Sequence, residues 1–178
     1  MRAACLLLLL GCGSDKVDAC SNVSVDPCVT FHLTGDSTLA DSLVTAVAMW
    51  ATYQTGVLNN KLVQTTMTTA TPFPIGVGLE LPPNLSGAAK IRIAALNGPG
   101  PVGYRVVSVM PGLGEHADVD VVLQRPDPST GCFNGLRNPG ESDIDCGGDC
   151  PPCAAGRHCS SAADCLSTSC VSGTLLCN

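Results

Sequence analysis

Residues 89–96 read Ala-Lys-Ile-Arg-Ile-Ala-Ala-Leu, and residues 117–123 read Ala-Asp-Val-Asp-Val-Val-Leu. In the first stretch Ile91, Ile93 and Ala95 recur at every second position, and the second stretch follows the same pattern. Because successive side chains of a β-strand point to opposite faces of a sheet, this period is typical of a strand with one buried face. Both stretches therefore predict β-strands.

Short apolar runs separated by turn residues continue this pattern in both directions, at the spacing typical of all-β domains. The other predicted strands are residues 29–33, 61–67, 75–81 and 102–109. The predicted turns are residues 35–36, 59–60, 82–84, 97–100 and 111–114.

Residues 42–53 are ambiguous, because Leu39, Leu43, Val47 and Trp50 would also line one face of a helix. Their content of Thr, Val, Trp and Tyr favours a strand. With that strand, the region 28–125 has seven strands and predicts a mainly β fold, an immunoglobulin-like or transthyretin-like β-sandwich.

The overall composition limits the kinds of partner. The chain has 178 residues, 9 Lys and Arg, and a formal net charge of -6. This length allows one ordinary domain and a small appendage. Nucleic acids bind to basic protein surfaces, and so few Lys and Arg side chains do not form one. We therefore expect no nucleic-acid partner.

The first residues have the pattern of an export signal: Met1-Arg2 is basic, and residues 3–10 form an apolar run too short to cross a bilayer. The boundary Leu9-Leu10-Gly11-Cys12 resembles the lipobox of bacterial lipoproteins. That resemblance implies a signal peptide at 1–11, a lipid anchor on Cys12 with acyl chains such as palmitate, and a tether at 12–27. In the resemblance to Gram-negative lipoproteins, an Asp after the cysteine is associated with inner-membrane retention; this chain has Gly13 and Ser14 instead, which favours the outer membrane or cell surface. An ordinary signal with a fortuitous cysteine is the alternative.

The remaining cysteines are even in number, which in an exported chain predicts a disulfide framework. Cys20 and Cys28 form the natural first pair. The other eight leave their connectivity open: Cys132, Cys146, Cys150, Cys153, Cys159, Cys165, Cys170 and Cys177.

Residues 126–131 are a Pro-rich linker, and residues 132–178 form a small, loop-dominated unit. Because this unit has few large apolar side chains, cross-links must hold it together. We expect it to fold independently of the sandwich and only when oxidised.

The segment Cys132-Phe-Asn-Gly-Leu-Arg-Asn-Pro-Gly-Glu-Ser-Asp-Ile-Asp-Cys-Gly-Gly-Asp-Cys-Pro-Pro-Cys153 and the cysteines that follow it resemble a cysteine-rich repeat of myxobacterial surface proteins. The resemblance covers residues 132–178 and implies an extracellular, disulfide-bonded module with no activity of its own. The usual arrangement is a tandem array, whereas this chain carries one copy.

Three chemical alternatives lie inside the module. Asp143, Asp145 and Asp149 partly match a calcium loop, with Gly148 at the sixth position, but Ala154 occupies the twelfth position, where a bidentate Glu is needed. These carboxylates would otherwise accept backbone N–H groups in tight turns. Residues 150–153, Cys-Pro-Pro-Cys, have the spacing of a redox pair, and eight thiols could bind zinc. Export to an oxidising compartment favours structural disulfides over a redox pair and over a zinc site.

Polar residues of the sandwich offer weaker candidates. Glu115, His116, Asp118 and Asp120 could hold a divalent cation, but on a strand the last three face solvent opposite Val119 and Val121. His32 is interpreted in the same way, as an outward strand residue.

The aromatic residues Trp50, Tyr53 and Tyr104 could stack on sugar rings, but core packing is the commoner role.

The sequence as a whole predicts a non-catalytic cell-envelope lipoprotein for binding, adhesion or structural support, without a cofactor. Its partners would be the membrane, through the lipid anchor, and an extracellular protein or glycan. The alternatives are a calcium-dependent carbohydrate-binding module and a small extracellular hydrolase. A hydrolase needs a nucleophile, a base and an orienting group that converge in space.

Overall fold

The computed structural model describes residue 20, residues 27–112 and residues 115–178. Seven long strands and one short pair make up its regular structure: β1 Cys28–Gly35, β2 Leu43–Gln54, β3 Leu58–Pro72, β4 Ile75–Glu80, β5 Ala89–Asn97, β6 Gly100–Val109, β7 His116–Leu123, β8 Cys170–Val171 and β9 Leu176–Cys177. Two 3-10 helices, Ser37–Leu39 and Ala162–Asp164, are the only helices among the described residues.

The seven long strands form two sheets, ordered β4-β1-β7 and β3-β2-β5-β6. Strand β1 runs antiparallel to β4 and parallel to β7, and all pairs of the four-stranded sheet are antiparallel. An immunoglobulin sandwich places its first, second, fourth and fifth strands in one sheet. The observed order excludes that pairing, so the sandwich does not have the immunoglobulin strand order.

The core lies between the two sheets and follows the period of two. Phe31, Met49 and Ile93 are fully buried, one from each of β1, β2 and β5. Burying an apolar side chain of this size contributes about 1.5–3 kcal/mol. The rest of this core is aliphatic and is supplied mainly by alternate strand positions: Val29, Leu33, Leu39, Val44, Val47, Ala51, Ile75, Val77, Leu79, Leu81, Ala89, Ile91, Ala95, Val109, Val121 and Leu123.

The ambiguous stretch 42–53 is a strand, as its composition favoured. Strand β2 is the central partner of both β3 and β5, so its inner positions enter the core from the middle of the sheet. One predicted turn is wrong: Asn59 and Asn60 lie inside β3. The turn comes earlier because Gly56 adopts a positive φ of 88°, and the Asn59 amide donates back to the Val57 carbonyl at 2.9 Å.

The cysteine-rich module follows the sandwich after a compact segment. Gln124 forms an isolated bridge with Tyr104 of β6, which extends the sandwich by one residue beyond β7. In the segment 126–131, the Asp127 carboxylate accepts hydrogen bonds from the backbone N–H and hydroxyl of Ser129, at 2.7 and 2.6 Å. The module itself is turns and loops, apart from β8 and β9.

Candidate functional site

Five disulfides account for all described cysteines. Cys20 pairs with Cys28, as predicted, and fastens that end of the chain to the start of β1. The connectivity that sequence left open is Cys132–Cys150, Cys146–Cys153, Cys159–Cys170 and Cys165–Cys177.

This connectivity decides the two thiol alternatives. Cys150 and Cys153 bond to different partners, so the interpretation of residues 150–153 as a redox pair is wrong. Two clusters of described residues bring three metal-capable groups together, but every cysteine in them is in a disulfide: Cys159, Cys165 and Cys170, and Cys132, Glu141 and Cys150. A disulfide sulfur is not the thiolate that zinc requires.

The three calcium candidates bind different partners. Both Asp145 carboxylate oxygens accept backbone N–H groups, from Asn134 at 2.7 Å and Gly135 at 2.8 Å. Asp143 accepts the backbone N–H of His158 at 2.8 Å, and this bond, followed by that from Ile144, lowers the pKa of Asp143.

Asp149 forms an ion pair with Lys90 of the sandwich. The three carboxylates do not converge in the part of the chain that the structure describes. Asp143 and Asp145 instead hold tight turns.

A fourth carboxylate, Asp164, organises the module. It is only 5% exposed and accepts hydrogen bonds from the Ser142 hydroxyl and the backbone N–H groups of Gly148, Ser160 and Ser161, at 2.6–3.0 Å. Burial alone would raise the pKa of Asp164, but the four hydrogen bonds outweigh it, and the pKa is lowered. Asp164 therefore remains ionised and ties the two halves of the module together.

The module is docked on the outer face of the four-stranded sheet through the loop that carries Gly148. Arg92 of β5 points to that face and is 2% exposed. Its guanidinium donates to the Gly148 carbonyl and to the Thr52 hydroxyl of β2, both at 2.7 Å. Arg92 forms no ion pair with a carboxylate of the described residues, and its Nε has no hydrogen-bond partner there. Burial accordingly lowers the pKa of Arg92.

Further contacts surround this guanidinium. The Lys90 ammonium donates to the Gly148 carbonyl at 3.0 Å and pairs with the Asp149 carboxylate. The Tyr104 hydroxyl donates to the Asp149 carbonyl at 2.6 Å, and its ring meets Phe133 edge to face, with centroids 5.4 Å apart. Side chains from β5 and β6 thus contact one loop of the module, and Thr52 of β2 holds the Arg92 guanidinium in place.

A second contact lies at the edge of the same sheet. The side-chain amide of Asn60 in β3 donates to the Cys165 carbonyl of the module. All four strands of this sheet therefore contribute a side chain to the docking surface, which we define as Thr52, Asn60, Lys90, Arg92 and Tyr104.

A cleft of about 360 Å³ lies beside the docking surface. It is bounded by β6, the 126–131 segment and the first half of the module. Its lining combines one aromatic ring, charged groups, prolines and a disulfide: Tyr104, Gln124, Arg125, Pro126, Asp127, Thr130, Gly131, Cys132, Pro139, Gly140, Glu141, Asp149 and Cys150.

The opposite sheet carries the remaining polar candidates. His116, Asp118 and Asp120 are exposed on β7 and lie on the face opposite Val119 and Val121, as expected. His32 lies on the same outer face but is only 9% exposed, and its Nε2 is 2.8 Å from the Asp118 carboxylate.

Glu115 accepts the Gly112 backbone N–H at 2.6 Å. These groups do not form a metal-capable cluster within the described residues.

The aromatic residues are only partly explained by core packing. Tyr53 packs against the core, as expected. Trp50 lies between the core residues Met49 and Ala51 and so points to the outer face, where it is half-buried. For Trp50 and Tyr104 the core expectation is wrong, and Tyr104 instead contacts Asp149 and Phe133 of the module.

Comparison with known proteins finds no relative: no protein-family model matches the chain, and no curated protein matches it. None of the helices among the described residues is long and apolar enough to cross a membrane.

Sequence reasoning missed the docking surface. Lys90 and Arg92 occupy outward strand positions, where charged side chains are ordinary, so the pattern gave no signal. The sequence did contain a signal for Asp164, because Ser161-x-x-Asp164 has the spacing of a helix N-terminal capping box.

Proposed function

We propose that the chain is a non-catalytic cell-envelope lipoprotein. It is exported, anchored in the outer membrane or on the cell surface through lipid on Cys12, and displays the sandwich and module for binding, adhesion or structural support. Cys12 lies outside the described residues, so the lipid anchor rests on the resemblance of residues 9–12 to a lipobox.

The internally disulfide-bonded module, which is docked on the sandwich through hydrogen bonds, carries this proposal. Five disulfides are typical of proteins in oxidising compartments outside the cytosol. The docking surface joins the two parts through several hydrogen bonds, one of them from the buried Arg92, so they can present one rigid surface. Rigid display suits a binding or structural role, because less conformational freedom is lost when a partner binds.

The calcium-dependent alternative receives no support from the geometry, because Asp143 and Asp145 are occupied by backbone N–H groups and Asp149 by Lys90. Binding to a glycan array should therefore be insensitive to a chelator. The His32–Asp118 pair supplies a histidine and an orienting carboxylate, but a hydrolase also requires a nucleophile.

The lipid anchor is tested by intact mass of the full chain expressed in a Gram-negative host and separated into membrane and soluble fractions. We expect wild-type chain in the membrane fraction, starting at Cys12 and carrying acyl chains, because two or more chains anchor a protein stably. Cys12→Ala should lose the lipid mass and leave the membrane fraction.

Cys5→Ala is the matched control, since Cys5 lies inside the predicted signal peptide and should leave the mature protein unchanged. Wild-type protein with an unmodified N-terminus at Ser14 or later would overturn the lipoprotein proposal.

A further inference from the structure

The cleft beside the docking surface contains one buried acceptor without a donor. Four charged residues line the cleft: Arg125, Asp127, Glu141 and Asp149. Three of them are occupied elsewhere. Arg125 donates to the Thr38 carbonyl at 2.9 Å, Asp127 accepts from Ser129, and Asp149 pairs with Lys90.

Glu141 differs from these three. It is 9% exposed, and its Oε2 accepts the backbone N–H groups of Asn138 at 2.9 Å and Asp145 at 3.3 Å. Its Oε1 lies 3.0 Å from the Cys150 sulfur, but that sulfur is bonded to Cys132 and carries no proton to donate. Glu141 Oε1 is therefore a buried carboxylate oxygen for which the described residues provide no N–H or O–H donor.

A buried carboxylate oxygen requires a donor, because its lost hydration is otherwise uncompensated. Water or a ligand can supply it, and among ligands a cationic N–H group makes the strongest bond to a carboxylate. A metal ion fits less well, because the carboxylates of the cleft are not close enough to one another to share an ion. The cleft is also lined by the Pro126 and Pro139 rings and the Cys132–Cys150 disulfide, which are apolar surfaces that the carbon skeleton of a small organic ligand can contact.

We propose that the cleft binds the ammonium group of a small primary amine, with Glu141 Oε1 as its acceptor. The ammonium belongs to either an amino sugar or an aliphatic amine, which share this chemistry. The inference rests on the proposed binding role and gives that role a ligand class.

The test is a titration of the detergent-solubilised, oxidised full chain with glucosamine, cadaverine and N-acetylglucosamine, followed by calorimetry. We expect saturable one-to-one binding of glucosamine or cadaverine and none of N-acetylglucosamine, whose nitrogen carries no charge. The tighter of the two amines identifies the source as a sugar or an aliphatic chain.

Glu141→Gln separates binding from structure. The Gln amide oxygen can still accept the Asn138 and Asp145 N–H groups, while the other position becomes an N–H donor. We expect amine affinity to fall about tenfold or more, which reflects the loss of a charge-assisted bond. Glu80→Gln makes the same charge change outside the cleft and should bind as wild type.

Absence of saturation by both amines, equal binding of N-acetylglucosamine, or unchanged affinity in Glu141→Gln would overturn the proposal. If that variant fails to form its disulfides, the wild-type chain is tested by nuclear magnetic resonance instead. The carbon-13 chemical shift of the Glu141 carboxyl group should change on amine addition, and an unchanged shift would overturn the proposal. Failure here leaves the membrane-fraction result untouched, so it does not remove the proposed lipoprotein function.

Discussion

Gly148 is the residue on which the docking depends most directly. Its carbonyl receives both Arg92 and Lys90, and its N–H is held by Asp164. Its φ is +60°, and a Cβ at this position would clash with the Gly140 carbonyl oxygen. Only glycine combines this backbone angle with so close an approach.

Gly148→Ala should therefore destabilise the oxidised chain by more than about 2 kcal/mol, since it adds a backbone clash to a strained φ. Gly156→Ala is the matched control, because Gly156 also has a positive φ, +81°, but no atom within 4 Å of an added Cβ. That control should cost only about 1 kcal/mol. Guanidinium unfolding measures both, and equal effects would contradict the close approach.

Asp164 links pH to the stability of the module. Its pKa is lowered in the folded chain, so its stabilising effect is present above the unfolded value of about 3.9 and is lost as pH falls through the folded value. Asp164→Asn should cost about 1–3 kcal/mol at pH 7 and reduce the loss of stability between pH 7 and pH 3.

Denaturant unfolding at the two pH values measures the Asp164 effect, with exposed Asp41→Asn as the control. An unchanged pH dependence in Asp164→Asn would contradict the assigned hydrogen bonds.

At the scale of elements, β6 is the edge strand of the sandwich that contacts the module. Tyr104 on this edge strand reaches the Asp149 carbonyl and contacts Phe133. Burial is the main cause that raises the pKa of Tyr104 well above its ordinary value. The neutral phenol thus stabilises docking below the unfolded pKa of about 10, and this stabilisation is lost as pH rises above that value.

An absorbance titration of the oxidised chain should show the Tyr104 phenol ionising well above pH 10, and Tyr104→Phe identifies its contribution by subtraction. After reduction the same phenol should titrate near its ordinary value, because the module no longer covers it. A Tyr104 midpoint near 10 in the oxidised chain would contradict burial under the module.

Most strands were predictable because their periodicity reports one buried face. Ile91, Ile93 and Ala95 point into a core that any sheet-on-sheet packing would create. The turn at residues 59–60 was misplaced because two asparagines are a weaker signal than the positive φ that Gly56 adopts. The parallel pairing of β1 with β7 depends on contacts distant in sequence, so no local pattern contained it.

At the scale of the whole molecule, the sandwich and module form one unit through the buried Arg92. The parity of the cysteines predicted a disulfide framework, but not its connectivity, because that depends on which sulfurs meet in space. The docking surface was not predictable, since an outward Arg on a strand is ordinarily solvated. The role of Glu141 was likewise not predictable from the sequence. Its Oε1 lacks a donor because the neighbouring Cys150 sulfur is bonded to Cys132, and this pairing was not known.

Side-chain exchange of the Arg92 Nε–H, measured by nuclear magnetic resonance on the oxidised full chain and again after reduction, tests the docked arrangement most directly. Arg105 and Arg137 are exposed and serve as internal references. We predict slow Arg92 exchange in the oxidised chain, rising to the rate of these references on reduction, because the module then unfolds and uncovers the sheet. Arg92 exchange as fast as theirs in the oxidised chain would contradict the docking of the module on the sandwich.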